Sequence, residues 1–471
     1  MEITTILLFL NILNSMGYSI IAPLFPIIGR KIGFNDALIG WVIAAYSVSN
    51  TIITPFIPSL CQKFTRLKIL YFSTFSVATC TVFYSFLNYI SSFYIFLLSA
   101  ISIRIIHGLS SGIVFTLVYS LTISLSSKEK VQKYLGYLEL GLCFGTSCGP
   151  LVASVFYKIG GYPLPFLVLG GFLYISVFLT SKIGKEKINS SDDKNEENLP
   201  FFKFFYFKEI LIILGCFFIA MITGTFYLPC LTNYLIQKFN FSVSVASLFF
   251  IIPTIFYITV LQLLDIFSKR LGLYGTASLG LLMSALGSFL FAPLIQFLNN
   301  ILFLVIGFGL LGAGQAPIFI PLLLALSKCI IKIENNIDEL TANDIATSLN
   351  NVFVAVGEFC GPIIGGSITS RMGFNYCCFF VSIFIFIYFL LFSFYFYNEI
   401  INKLTNKEKL LDNDDNEANN LQKFRKSFIN YGKFLNLGNI NEENKKRKYT
   451  FNNLERNEKF DRISLYSNLT K

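Results

Sequence analysis

The chain has 471 residues, 54% of them hydrophobic and 14% charged, with a mean hydropathy of +0.64, which excludes an ordinary soluble domain and describes a polytopic membrane protein. Its formal net charge of +10 does not point to nucleic acid, because Lys and Arg sit in connecting loops and the tail, where membrane topology and anionic lipid account for them. Ten cysteines without a C-x-x-C pair and a single histidine, His107, exclude a Cys/His metal cluster, so the cysteines read as small apolar fillers.

Met1-Glu2 leads straight into an apolar stretch with Pro23 and Pro26 that runs to Ile28. That is too long for a cleavable leader, so this helix is expected to stay. A hydrocarbon core of about 30 Å needs about 20 apolar residues per helix. Runs of that size fall at 3–29, 37–60, 68–88, 93–125, 133–158, 163–181, 208–236, 241–264, 273–297, 300–326, 345–370 and 373–397, which predicts an all-α membrane protein of twelve spans. With the N-terminus cytosolic, sixteen Lys and Arg fall on the inner side and five on the outer, so both ends are expected in the cytosol.

The fourth span holds Arg104, and a charge at that depth costs at least ~2.5 kcal/mol unless it faces a partner or a cavity. It is therefore expected to face inward, with His107 three residues on along the same helical face. The fifth span carries Glu139 near its cytosolic end and then Gly145-x-x-x-Gly149-Pro150, small residues that let membrane helices approach closely. Residues 182–207 are too polar to bury a core and read as a cytosolic linker between a six-helix half at 1–181 and another at 208–397. Asp265 with Lys269 and Arg270 closes the eighth span and reads as a cytosolic gate or as a solvated loop. The glycine-proline run recurs as Gly357-x-x-x-Gly361-Pro362 with Glu358 inside it, so the two halves are a repeat. From Asn398 onward the chain is polar and reads as a disordered cytosolic tail, or as a lipid or trafficking contact.

Two parallel six-helix halves with a site between them describe major facilitator transporters. Arg104-Ile-Ile-His107-Gly108 resembles the fourth-helix R-x-x-Q-G motif of that superfamily, and Gly145 to Pro150 resembles the fifth-helix motif of its drug:proton antiporter branch. Ser19 to Pro26, Ile39 to Tyr46 and Thr347 to Gly366 are similar to the vesicular amine transporter group, especially its polyamine-associated members. The resemblance covers roughly residues 3–397. It implies the major facilitator fold, alternating access and proton-coupled antiport of an amine-like solute. The chain departs from the amine carriers at Asn14, where they hold an amine with aspartate, at Leu228 before Pro229, at Gln315 in the tenth span, and at Cys61-Gln62-Lys63 after the second.

On the residues themselves, Arg104 either organises the pocket or forms a buried structural clamp, and His107 either moves protons or donates hydrogen bonds. Glu139 and Glu358 are the candidate proton carriers. Asn11, Asn14, Gln315, Asn350 and Asn351 either line the cavity or tie helices together. Gly145, Gly149, Pro150, Gly357, Gly361 and Pro362 are expected to serve packing and bending. No G-x-x-x-x-G-K-[ST] sequence occurs in any loop, so no ATP site, no covalent chemistry and no cofactor is expected, and coupling falls to a gradient such as that of protons. The expected protein is a monomeric secondary transporter of a small organic solute, with a gradient-independent facilitator and a transport-dead sensor or scaffold as alternatives. Asn14 argues against tight binding of an amine cation, while Arg104 and His107 favour a neutral or anionic group.

Overall fold

The computed structural model describes residues 3–125, 131–181, 201–295, 300–334 and 339–405. Two compact units divide the chain, at 1–422 and 423–471, and the second lies outside the described residues. The described part of the first unit is helical, and twelve of its helical stretches are long and apolar enough to cross a membrane.

The first span bends where proline dictates. Pro23 has no N–H for the carbonyl of Ser19, and the expected single helix is two, α1 (Ile3–Ser19) and α2 (Ile21–Lys31). The seventh span repeats the device: Pro229 cannot bond the carbonyl of Thr225, and the chain divides into α9 (Lys208–Thr225) and α10 (Leu231–Phe239). The other first-half elements are α3 (Asp36–Ile53), α4 (Ile57–Lys63), α5 (Arg66–Phe86), α6 (Phe93–Leu125), α7 (Val131–Gly160) and α8 (Pro163–Ser181). Asn35 caps α3 by accepting the Leu38 N–H at 2.9 Å, and Asn300 caps its helix by accepting the Leu302 N–H at 3.0 Å. In the second half α11 (Val243–Phe249) and α12 (Ile252–Phe291) carry the eighth and ninth spans, and Gly272, at φ +72°, makes the turn between them. α13 (Ile301–Ile333), α14 (Glu339–Met372) and α15 (Phe374–Tyr395) follow.

Each half is packed by its own glycines. A Cβ on Gly145 or Gly149 would meet Ile12, Ser15 and Ser19 of α1, and one on Gly357 or Gly361 would meet Phe218, Met221 and Thr225 of α9. The repeated runs therefore seat the fifth span on the first and the eleventh on the seventh, as close-packing glycines should. Pro150 and Pro362 lie inside unbroken helices at these contacts.

The halves meet at one end of the bundle, the end away from the 182–200 linker. There α3 runs along α14, α7 meets α11, and α2 meets α10 and α11. Gly40 lies against the Pro362 carbonyl and Gly366 against that of Asp36, so neither position has room for a Cβ. Arg30 pairs with Asp36 beside this seam. Among the described residues, no packing of comparable extent joins the halves at the linker end.

Two boundaries differ from those expected. Residues 201–206, drawn into the linker, form a 3-10 helix anchored by buried Phe204 and by Lys203 paired with Glu334 at 2.5 Å. The tail boundary at Asn398 falls within α16 (Tyr397–Thr405), which is held by Phe396 stacked on Tyr274 at 4.0 Å. The turn at 126–130, the remaining linker and the tail from 406 lie outside the described residues.

Candidate functional site

Arg104 sits eleven residues into α6 and is 1% exposed, so the expectation that it faces inward holds. Its Nε donates to the Ile43 carbonyl at 3.4 Å, and its guanidinium lies over the rings of Tyr46 at 4.6 Å and Tyr18 at 5.7 Å. Two aromatic faces stabilise a desolvated guanidinium by about 2 kcal/mol or more. No carboxylate forms an ion pair with it among the described residues.

A polar chain runs behind the first of these rings. The Ser111 hydroxyl gives its hydrogen to Asn14 Oδ1 at 2.8 Å, so Tyr46, 2.5 Å from Ser111, must be the donor in that pair. Asn14 is thus tied into the first half as a helix-to-helix acceptor. Asn11 also ties two helices, as a donor, giving its amide hydrogen to the Leu138 carbonyl at 2.7 Å. Both follow the tethering alternative for these residues, since an asparagine in an apolar helix finds the nearest backbone or hydroxyl partner.

Across the seam, Glu358 of α14 lies against the hydroxyls of Tyr18 and Ser47 and within electrostatic range of Arg104. It is half-buried, whereas Arg104 behind the tyrosines is sealed. The arrangement links three spans of the first half to the eleventh through one carboxylate. Glu358 stands in the middle of α14, the helix that runs along α3.

The remaining candidates are dispersed. His107 is fully buried on α6, edge-on to Tyr46 at 5.2 Å, and neither ring nitrogen has a hydrogen-bond partner among the described residues. Gln315 is half-buried in α13 with its amide nitrogen against Gly224 of α9. Asn350 is half-buried and donates to exposed Asn351 at 3.5 Å. Lys269 and Arg270 are exposed at the linker end, and the side chains of Asp265 and Glu139 lie outside the described residues. Leu228, in the acidic position of the amine carriers, is a buried apolar residue. Sequence reasoning passed over Tyr18, Tyr46 and Ser47; the only signal was that Tyr46 ends one stretch of the resemblance and Tyr18 adjoins another.

Twelve spans in two packed halves, with a charged cluster between them, are matched by a family description. The Major Facilitator Superfamily pattern covers residues 7–330 and 213–440. The chain belongs to this superfamily. It is 22% identical over 383 residues to the MFS-type transporter SLC18B1 of Mus musculus, covering 78% of this chain and 80% of that one. To Multidrug resistance protein 1 of Bacillus subtilis it is 20% identical over 372 residues, covering 77% and 88%. In fold it resembles the nucleoside transporter NupG, with a TM-score of 0.66 at 12% identity over 84% of this chain and 99% of that one. It also resembles a bacterial homolog of the lysosomal transporter Spinster in an inward-facing, unoccupied conformation, with a TM-score of 0.62 at 13% identity over 85% and 97%. This major facilitator is a multi-pass membrane protein, and secondary transport of a small solute is the activity that its membership carries.

Proposed function

We propose that this major facilitator exchanges protons for an amine-like organic solute, with Glu358 holding one or the other in turn. The observation that carries this reading is the half-buried Glu358 carboxylate facing Tyr18 and Ser47 across the seam, with Arg104 behind them. A carboxylate there interacts with an ammonium or with a proton but gains little from both together, and that exclusivity is the basis of exchange. Arg104 opposes a second positive charge in the pocket, which helps expel the amine when a proton arrives. With the linker end and both termini in the cytosol, as the distribution of Lys and Arg indicates, the state described is closed outside and open inside. Gly40 and Gly366 hold that closure, and Lys269 and Arg270 belong to the gate that would form on the cytosolic side.

The test is uptake into proteoliposomes with an imposed pH gradient, screened over monoamines and polyamines. Wild type should accumulate the recognised amine only while the gradient lasts, and Glu358→Gln should abolish that accumulation in protein that still folds and inserts. Uptake indifferent to the gradient and to Glu358→Gln would favour the facilitator instead.

A further inference from the structure

The first half contains a second polar cluster beside the ring of Tyr46. Five buried polar atoms there have no hydrogen-bond partner among the described residues: Arg104 Nη1, both ring nitrogens of His107, and the hydroxyls of Tyr84 and Tyr162. Arg104, Tyr84 and His107 lie together, and Tyr162 joins them through Tyr84. Tyr84 of α5 turns its hydroxyl toward the Arg104 guanidinium, and its ring lies 6.4 Å from that of His107. Tyr162, beside Tyr84, shares Phe166 with it at 4.9 Å and 5.7 Å. Gly17 of α1 forms the wall nearest His107 Nε2, where a Cβ would stand 3.4 Å away. All four polar residues are at least nine-tenths buried, with Arg104 at 1% and His107 and Tyr84 at 0% exposure.

Buried polar groups without partners are rare in folded proteins, and several converging on one place imply something that satisfies them. The chemistry of this set is one-sided. Arginine supplies only donors, the two hydroxyls supply one hydrogen each, and a neutral histidine supplies one donor and one acceptor. Donors outnumber obligatory acceptors beside a fixed positive charge, so the site disfavours any cation, the proposed solute included. We propose that this cluster binds a small monovalent anion, a halide such as chloride, within the first half. Glu358 of the seam acts on Arg104 through charge and is not among the unpartnered groups of this cluster.

This placement gives the anion a part in the cycle, and that part rests on the reading of Glu358 above, whereas anion binding itself does not. While Glu358 is ionised it offsets Arg104 from the second half. Once a proton or an ammonium neutralises Glu358, the charge of Arg104 falls to the halide. Neutralising Glu358 should therefore tighten halide binding.

The test uses the purified full-length protein without solute, titrating sodium chloride or bromide against sodium gluconate at matched ionic strength and reading thermal stability. A ligand that binds only the folded state raises the apparent melting temperature in a saturable way. The expected result is a halide-specific shift, about tenfold weaker in Tyr84→Phe, which loses one hydrogen bond to an anion and keeps the ring, and stronger in Glu358→Gln. Equal curves in halide and gluconate would overturn the proposal, because water alone would then satisfy these groups. So would a halide shift that Tyr84→Phe leaves intact. Should that variant fold poorly, anomalous scattering from bromide-soaked wild-type crystals decides: a peak among Arg104, Tyr84 and His107 supports the site, and no peak there refutes it. An unaltered halide response in Glu358→Gln would sever the link to the cycle while leaving the site in place.

Discussion

Replacing Gly40 with alanine should drive this transporter toward its opposite-facing state. The added Cβ would lie 2.3 Å from the Pro362 carbonyl oxygen and 3.0 Å from its carbon, whereas ordinary contact begins near 3.4 Å. A main-chain carbonyl in the middle of α14 must then retreat by about 1 Å, and overpacking of that kind costs about 1 to 3 kcal/mol. Because α3 and α14 meet across the seam, the cost falls on the state in which they touch, and it shifts the balance of states by about 5-fold to 150-fold. Gly145→Ala is the control. Its Cβ would meet the Ile12 carbonyl at 2.4 Å, a similar clash, but within one half and so present in both states. Distances between spin labels across the linker end and across the far end would report the populations in detergent or nanodiscs. Gly40→Ala should shorten the linker-end distances and lengthen the far-end ones, while Gly145→Ala should only lower thermal stability. If Gly40→Ala shifts populations no more than Gly145→Ala does, the seam is not what holds the far end shut.

Arg104→Lys keeps the charge but loses the planar face over Tyr46, worth about 1 to 2 kcal/mol, so the melting temperature of the solute-free protein should fall. A variant as stable as wild type would show that the stacked guanidinium does not hold this cluster together. Asn14→Asp keeps the acceptor that Ser111 uses and adds a negative charge where vesicular amine carriers have theirs, so binding of a monoamine cation, measured by calorimetry, should tighten at least about tenfold. Unchanged affinity would show that this position does not face the solute. At the linker end Glu399 is largely exposed, and partial desolvation, then repulsion from Glu209, pushes its carboxyl up, with Lys332 opposing. A raised acid holds its proton more tightly in the docked state. Docking of α16 is therefore strongest below the ordinary carboxylate value of about 4.3 and weakens as pH rises through the raised one. A spin label on α16 should become more mobile over that range in wild type and not in Glu399→Gln, and parallel behaviour of the two would assign the effect elsewhere.

The twelve spans were legible because a membrane imposes one length and one polarity on every crossing helix, and the inward orientation of Arg104 followed from the cost of the alternative. The breaks after Ser19 and Thr225 were within reach, since Pro23 and Pro229 each orphan a carbonyl four residues back, but hydropathy alone runs straight through both. Tyr18 and Tyr46 were hidden by abundance: among 24 tyrosines and 53 phenylalanines, two rings flanking an arginine leave no trace in composition. The partner of Glu358 and the Gly40 and Gly366 contacts were beyond reach for a different reason. Asp36 and Gly366 stand 330 positions apart in different halves, and their contact depends on how two rigid bodies lean together. In a protein that works by alternating access, that lean is a variable of the cycle. One sequence must be compatible with the seam both closed and parted, so no pattern within either half can select this state. What sequence could mark, and does mark at Gly40 and Gly366, is the absence of a side chain where closure leaves no room for one.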